Sequence, residues 1–380
     1  MPGIRKFHLE MDFRGALEPD PVARSTVLFI RPTDSSFILT DQKIIESEYT
    51  VKAFAINQGK DKIRYFFKLF ELALFLLYNQ RKSKAFITWF GDYHAAIMVL
   101  IGRFFRKTTV MFVGGQEAIC YKELGKGVYL KWFRGGCVKY AIRNATLVLP
   151  NHRSLIYHEN HFYDESQPHI DGIRHYVDNL KCRIEIIPNG IDHNRINLQE
   201  EIHKEQDLVL TVGTMNRLGD FYNKGFDLFI EAARLCQDLR FVLIGIKKEF
   251  LGWVETVYGV SKLTNLTIVP SFCSDEVLSE YYNRANVYVQ VSITEGMPVS
   301  LGEAMLCECT PVGSDVNGIP DAIGPHGVII HKRTPEDLRL AIRRAMELRS
   351  GKAAREYTIA NYSVSRRRDR IMEVLRDFIR

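Results

Sequence analysis

The sequence predicts an α/β protein in which two doubly wound parallel sheets face each other across a cleft. Three observations carry this. Twelve short apolar runs rich in β-branched residues recur along the 380 residues, helix-like stretches lie between most of them, and the runs divide into two sets of about six. Strands alternating with helices call for parallel sheets made of right-handed βαβ units. At roughly 100–200 residues per domain, the length fits two such units. The 46% hydrophobic and 25% charged composition supports sizeable cores and excludes wholesale disorder.

In the first half the expected strands are 26–30, 50–56, 85–89, 108–113, 145–149 and 183–187. In the second they are 208–212, 240–244, 266–269, 285–291, 310–313 and 328–331. Among the intervening helices, 226–236 places Leu228, Ile230, Ala233 and Leu235 on one face. The Pro and Asn-Gly of Ile187-Pro188-Asn189-Gly190-Ile191-Asp192 mark a hinge. Domains are therefore expected at 1–188 and 189–364, with a last helix over 365–380.

The most apolar stretch, 66–78, is broken by Lys68 and Glu71 and falls short of the roughly 18 residues of a membrane span. The first residues show no apolar leader core, and the seven cysteines form no CxxC pair, so a cytoplasmic chain with reduced thiols is expected. The net charge of +6 is uneven. Residues 1–190 hold 27 Lys+Arg and 19 Asp+Glu, and within 60–143 there are 16 basic and 5 acidic residues. That block favours an anionic partner. No zinc-finger spacing and no RNA-binding motif points to nucleic acid.

The chemistry concentrates in the second half. Thr294-Glu295-Gly296-Met297-Pro298-Val299 follows an expected strand, and Val299, Leu301, Met305 and Leu306 suit a helix whose first position is Pro298. A helix N-terminus at the end of a parallel strand is a place for a diphosphate. Glu295 and Glu303 could each accept hydrogen bonds from sugar hydroxyls; an acidic first turn complementing the helix dipole is the simpler alternative. Upstream, Gly213, Arg217 and Lys224 form a strand–loop–helix with two cations seven residues apart, suited to clamping a diphosphate.

Together, Asn189-Gly190-Ile191-Asp192, the Gly213…Arg217…Lys224-Gly225 stretch, and Glu295 through Glu303 with Thr310-Pro311-Val312-Gly313 following resemble retaining glycosyltransferases of family four, with the GT-B fold of two Rossmann-like domains. The likeness is strongest over 186–350. It implies transfer of a sugar from a nucleotide-diphosphate sugar to an acceptor hydroxyl, with no cofactor and no metal. On that resemblance, Arg217, Lys224 and Glu295 carry catalysis. Asn189, Gly213, Gly296, Met297, Val299 and Glu303 bind the donor, and the last helix crosses back onto the first, acceptor-side domain. Trp89-Phe90-Gly91-Asp92-Tyr93-His94 and Val113-Gly114-Gly115-Gln116-Glu117 resemble a subgroup, which puts Gly114, Gly115, Glu117 and His94 on the acceptor side.

Two departures stand out. Many members carry His where this chain reads Gly114-Gly115-Gln116-Glu117, and the first strand-to-helix turn, Arg31-Pro32-Thr33-Asp34-Ser35-Ser36, lacks the usual glycines. A catalytically silent nucleotide-sugar-binding subunit, an epimerase or a phosphorylase are the alternatives. Four of eleven histidines fall between His158 and His175, an insertion with no metal-ligand template. The segment 61–78 reads either as a core helix with a basic exposed face or as a membrane-interface helix. The partners expected are a nucleotide-sugar donor, a glycan or lipid-linked acceptor in envelope-type glycan synthesis, and an anionic membrane surface met peripherally from its inner face.

Overall fold

The computed structural model describes residues 24–57, 61–270 and 273–379. The first six-stranded parallel sheet comprises β1 (Thr26–Arg31), β2 (Thr50–Ala55), β3 (Ser83–Trp89), β4 (Thr108–Val113), β5 (Leu147–Pro150) and β8 (Arg183–Ile184), in the order β2-β1-β3-β4-β5-β8. Between β5 and β8 lies an antiparallel hairpin of β6 (His158–Asn160) and β7 (His169–Asp171). The second parallel sheet comprises β9 (Glu205–Met215), β10 (Arg240–Ile246), β11 (Leu266–Pro270), β12 (Ala285–Gln290), β13 (Thr310–Ser314) and β14 (Val328–Ile330), in the order β11-β10-β9-β12-β13-β14.

All twelve expected strands are present. The last of the first set is short by ladder criteria, yet the chain continues its line. Glu185 and Ile187 donate to the carbonyls of Val148 and Pro150 at 3.1 and 3.0 Å.

Alternation along each strand sorts the side chains. Leu28 and Ile30 pack into one core with the helices Lys62–Asn79, Tyr93–Phe104 and Trp132–Asn144, while Val27 and Phe29 face the helices Ser36–Glu46 and Val364–Phe378. The second sheet has one continuous core, to which the helix Phe226–Leu235 gives Phe226, Leu228, Phe229, Ile230 and Ala233, whereas Leu235, expected on the same face, lies beyond the buried arc and is exposed.

The chain passes between the two sheets twice. The outward crossing runs through Asn189; the return joins the helix Gly351–Tyr362 to the helix Val364–Phe378, and Ile191 N–H bonds Tyr362 O at 2.7 Å where the crossings meet. On the return helix, the buried Arg367 guanidinium grips buried Asp41 through two 2.6 Å bonds and donates to the carbonyls of Ile187 and Pro188. Trp89 Nε1–H bonds the same Asp41 carboxylate at 2.9 Å.

Candidate active site

A doubly wound sheet opens a crevice where neighbouring strands send their connections to opposite faces. In the first sheet that switch lies between β1 and β3, and in the second between β9 and β12. The carboxyl ends of both pairs face one cavity of about 480 Å³, to which Ser36, Trp89, Gly213 and Glu295 all contribute. A volume in this range suits a small-molecule ligand.

Helix Val299–Leu306 begins at the floor of this cavity. Pro298 stands one position earlier than expected, at the N-cap with extended backbone, where its missing N–H still leaves no orphan. Asn189 reaches in from the crossing and donates to Met297 O at 2.9 Å, fixing the loop that precedes the helix. Gly296 sits where the two halves touch. A Cβ there would lie 2.6 Å from Gly114 O and 2.7 Å from Asn151 Oδ1. The buried Glu303, in the second turn of the helix, accepts from the Arg195 guanidinium and from Tyr282 O–H at 3.2 Å.

The half-buried Glu295 pairs with Lys224 Nζ at 2.7 Å. Burial works to raise the Glu295 carboxyl, but Lys224 and Lys126 outweigh it and hold the group below the usual carboxylate range. Lys224 is positioned by its neighbour. Gly225 takes the left-handed conformation (φ +70°), and a Cβ there would lie 2.4 Å from Val291 O, so the chain turns against β12 only with glycine.

The two expected cations part company. The six residues between Arg217 and Lys224 form a short helix, Leu218–Asn223, rather than an open loop, with the two side chains at its opposite ends. Lys224 enters the cavity, whereas the exposed Arg217 lies outside its lining and donates to Gly125 O at 2.5 Å. A residue the sequence reading missed stands beside Lys224. Lys126, 8% exposed, projects from a tight turn of the first half, closed by paired hydrogen bonds between Tyr121 and Lys126. Burial and the neighbouring Lys224 push its pKa down to about 8, against the attraction of Glu295 and of Asp220, whose Oδ1 lies 3.7 Å away. Only its position within a basic block could have hinted at it.

On the other lip, Gly114 and Gly115 line the cavity with backbone. Glu117 does not. It is wholly buried, accepts from the N–H groups of Gly91 (2.5 Å) and Gly115 (3.2 Å), and burial raises its pKa. His94 is also buried, with Nε2 3.2 Å from Trp89 O, and burial lowers its pKa. Both border a separate cavity of about 140 Å³, with Tyr65, Asp92 and Arg134, which shares Phe90 and Gln116 with the main one. A third cavity, of about 540 Å³, continues from Gly213 and Thr214 to Ile244, Lys247 and Leu278. It too went unread in the sequence, although it lies at the end of a parallel strand.

The histidine-rich segment clasps the halves together. Asn160 Nδ2 donates to Ile293 O at 2.6 Å, His158 Nε2 accepts from Asn317 N–H at 3.3 Å, and the preceding His152 pairs with Asp321 at 2.9 Å. Among the described residues no group of three or more His, Cys, Asp or Glu is placed to hold a metal ion. All seven cysteines are free thiols.

Two parallel sheets that close a shared, cation-lined pocket between opposed switch points define the class of two-domain α/β proteins that grip a ligand in an interdomain cleft. Sucrose-phosphate synthase from Thermosynechococcus elongatus superposes with a TM-score of 0.71 over 93% of this chain and 99% of that one, at 16% identity. Anabaena HepE, solved with UDP and glucose, gives 0.64 over 93% and 100%, at 13% identity. Residues 193–363 match the family model described as "Glycosyl transferases group 1". Over that stretch, under half of the chain, it is similar to the group 1 glycosyl transferases, and its two halves together have the GT-B fold.

Among curated proteins, a phosphatidylinositol N-acetylglucosaminyltransferase subunit of Arabidopsis thaliana is 24% identical over 171 residues, 44% of this chain and 37% of that protein. The Escherichia coli serotype-specific mannosyltransferase WbdA is 28% identical over 89 residues, 23% of this chain and 11% of that protein. The matched segments thus span little more than a third of the curated relatives at most.

Proposed function

We propose that this protein transfers a sugar, with retention, from a nucleotide-diphosphate sugar to an acceptor hydroxyl of a glycan or lipid-linked oligosaccharide at a membrane surface. One observation carries the reading. Lys224, Lys126 and the start of helix Val299–Leu306 converge on a single cavity beside Glu295, while Glu303 stands one turn deeper.

The diphosphate would lie against the two lysines and the helix N–H groups, with Arg217 closing over it once released from Gly125. The nucleoside would extend into the adjoining cavity past Gly213, its ribose accepted by Glu303 in exchange for Arg195. Glu295 would hold the transferred sugar, and Gly114 and Gly115 would bring backbone up to it from the acceptor side.

In the transfer step the bond from the anomeric carbon to the β-phosphate oxygen breaks, and negative charge grows on that oxygen. Preorganised cations and N–H groups stabilise it, commonly the greatest single source of rate enhancement in such sites. The acceptor oxygen bonds the anomeric carbon from the same face, and its proton passes to the departing phosphate oxygen. The positive charge this needs is supplied by side chains, so chelation with EDTA is expected to leave the rate unchanged.

The test is a donor panel assayed for nucleotide release with and without acceptor. Release that depends on acceptor supports transfer. Tight donor binding without turnover under any acceptor would indicate a silent binding protein. Acceptor-free conversion of the donor would indicate an epimerase, and a requirement for inorganic phosphate a phosphorylase.

A further inference from the structure

Helix Lys62–Asn79 is apolar on two opposite faces. Its buried stripe, Tyr65, Leu72 and Leu76 with half-buried Leu69, packs on the first sheet. On the far side Ile63, Phe67, Phe70, Leu74 and Leu77 follow one another at intervals of four, three, four and three residues, which puts them on one line at 3.6 residues per turn. They are 72%, 59%, 59%, 51% and 45% exposed, and Phe66 and Tyr78 flank them. The exposed face is therefore aromatic and aliphatic, and the alternative of a basic exposed face is set aside. The charges sit at its margins, with Lys62 on one side and Arg64 and Lys68 on the other.

The neighbouring helices extend the patch. Phe104 and Trp132 are more than four-fifths exposed, and Phe133, over half exposed, lies 5.9 Å from the Tyr93 ring. Arg103, Arg106 and Lys131, all exposed, add cations on and beside the same helices. Two of the few nearby acids are already engaged, Glu71 by Lys68 and Asp92 by Arg134. A soluble surface seldom leaves so long an apolar stripe open. Among the described residues no helix is long and apolar enough to cross a membrane. Aromatic side chains in the plane of a helix with cations along its edges match the acyl boundary and anionic headgroups of a bilayer.

We propose that this face lies on an anionic bilayer, with Phe67, Phe70 and Leu74 inserted below the headgroups and the flanking cations among the phosphates. This deepens the proposed function, because the reading of a membrane-borne acceptor rests there. In a βαβ unit the helix runs back against its strand, so the first turn of Lys62–Asn79 stands at the cleft rim. Tyr65 in that turn lines the small cavity that adjoins the main one. A lipid-linked hydroxyl leaving the bilayer beside Ile63 would reach that opening around the first turn of the helix.

The experiment is vesicle flotation of the full chain, with phosphatidylcholine alone and with phosphatidylglycerol added. The wild type is expected to float with the anionic vesicles, and F67E/F70E to lose at least about tenfold in partition. F70W is expected to be quenched by brominated lipid. Failure to float with anionic vesicles at low salt, or F67E/F70E floating unchanged, would overturn the proposal. So would F70W fluorescence already blue-shifted without vesicles, or dimers abolished by F67E/F70E, since a second copy or another segment would then cover the stripe. Unchanged thermal melting of F67E/F70E separates lost docking from lost folding. Flotation needs no sugar donor, so a chain that floats but binds no nucleotide sugar would count against the donor reading alone.

Discussion

The two lips of the cleft are drawn from the same sheet plan but handle charge in opposite ways. In the half built on the first sheet, Asp41 and Arg367 are locked together out of solvent, and Glu117 is held by two backbone N–H groups. Those carboxylates could not be released to a ligand without dismantling the core. In the half built on the second sheet the cavity carboxylates are paired with side chains, Glu295 with Lys224 and Glu303 with Arg195. Those partners can swing aside. Structural charge is thus separated from exchangeable charge, and only the latter faces the cavity.

The sharpest way to break this contrast is to unpair a locked charge. Arg367→Met is expected to cost about 3–5 kcal/mol of stability, because Asp41 is left buried without its counter-charge, with only Trp89 Nε1–H still bonded to it. Denaturant unfolding measures it, and a loss below about 1 kcal/mol would show that the pair is not locked. Lys224→Ala should instead leave the melting temperature nearly unchanged while slowing transfer by about a hundredfold to a thousandfold, the usual effect of removing one transition-state donor. Equal losses in stability and rate would erase the distinction.

Glu303→Ala is expected to weaken nucleotide-sugar binding by about tenfold to a hundredfold, the scale of a hydrogen bond to a charged group. Calorimetry decides, and unchanged affinity would refute the ribose assignment.

The smallest effect concerns Lys126. Its folded pKa of about 8 lies below the ordinary lysine value. The unfolded chain therefore holds this proton to higher pH than the folded one. Burial of the cation costs stability below pH 8, and that cost is relieved as pH rises toward the unfolded value. For an anionic ligand the sign reverses. Affinity should fall as pH rises through 8 and Lys126 loses its charge, by roughly tenfold or less, and Lys126→Arg should flatten the decline. A wild-type profile flat between pH 7 and 9 would show that Lys126 does not face the diphosphate.

Most of this architecture was legible in the chain. β-branched runs such as 108–113 and 240–244 are strands because both faces of a parallel sheet are buried, so local composition reports tertiary burial directly. That Glu295 and Lys224 line the cavity was readable because each sits between a strand end and a helix start marked by Gly or Pro, and Glu303 follows one turn into the helix after Pro298. Arg217 and Lys126 were not. Where Arg217 points depends on the short helix Leu218–Asn223, which no capping signal announces. Lys126 joins Lys224 at the cavity only because the halves come together, and no local pattern encodes a distance between residues 126 and 224. The outward face of Lys62–Asn79 stayed open between two readings for a related reason, since a helix apolar on both sides can be a core helix or an interfacial one until the neighbours on each side are known.

The return of helix Val364–Phe378 to the first sheet also sets an order of events during synthesis. Ile371, Val374 and Leu375 complete the core beneath β1, β3 and β4, and Arg367 neutralises Asp41. A nascent chain that has emerged through residue 200 holds every strand of the first sheet but neither the wedge that seals its lower face nor the counter-ion for its buried carboxylate. The second sheet, whose core takes nothing from that last helix, can fold first. The half made earlier is therefore the half finished later, and it spends the interval with apolar surface open to chaperones or to neighbouring chains.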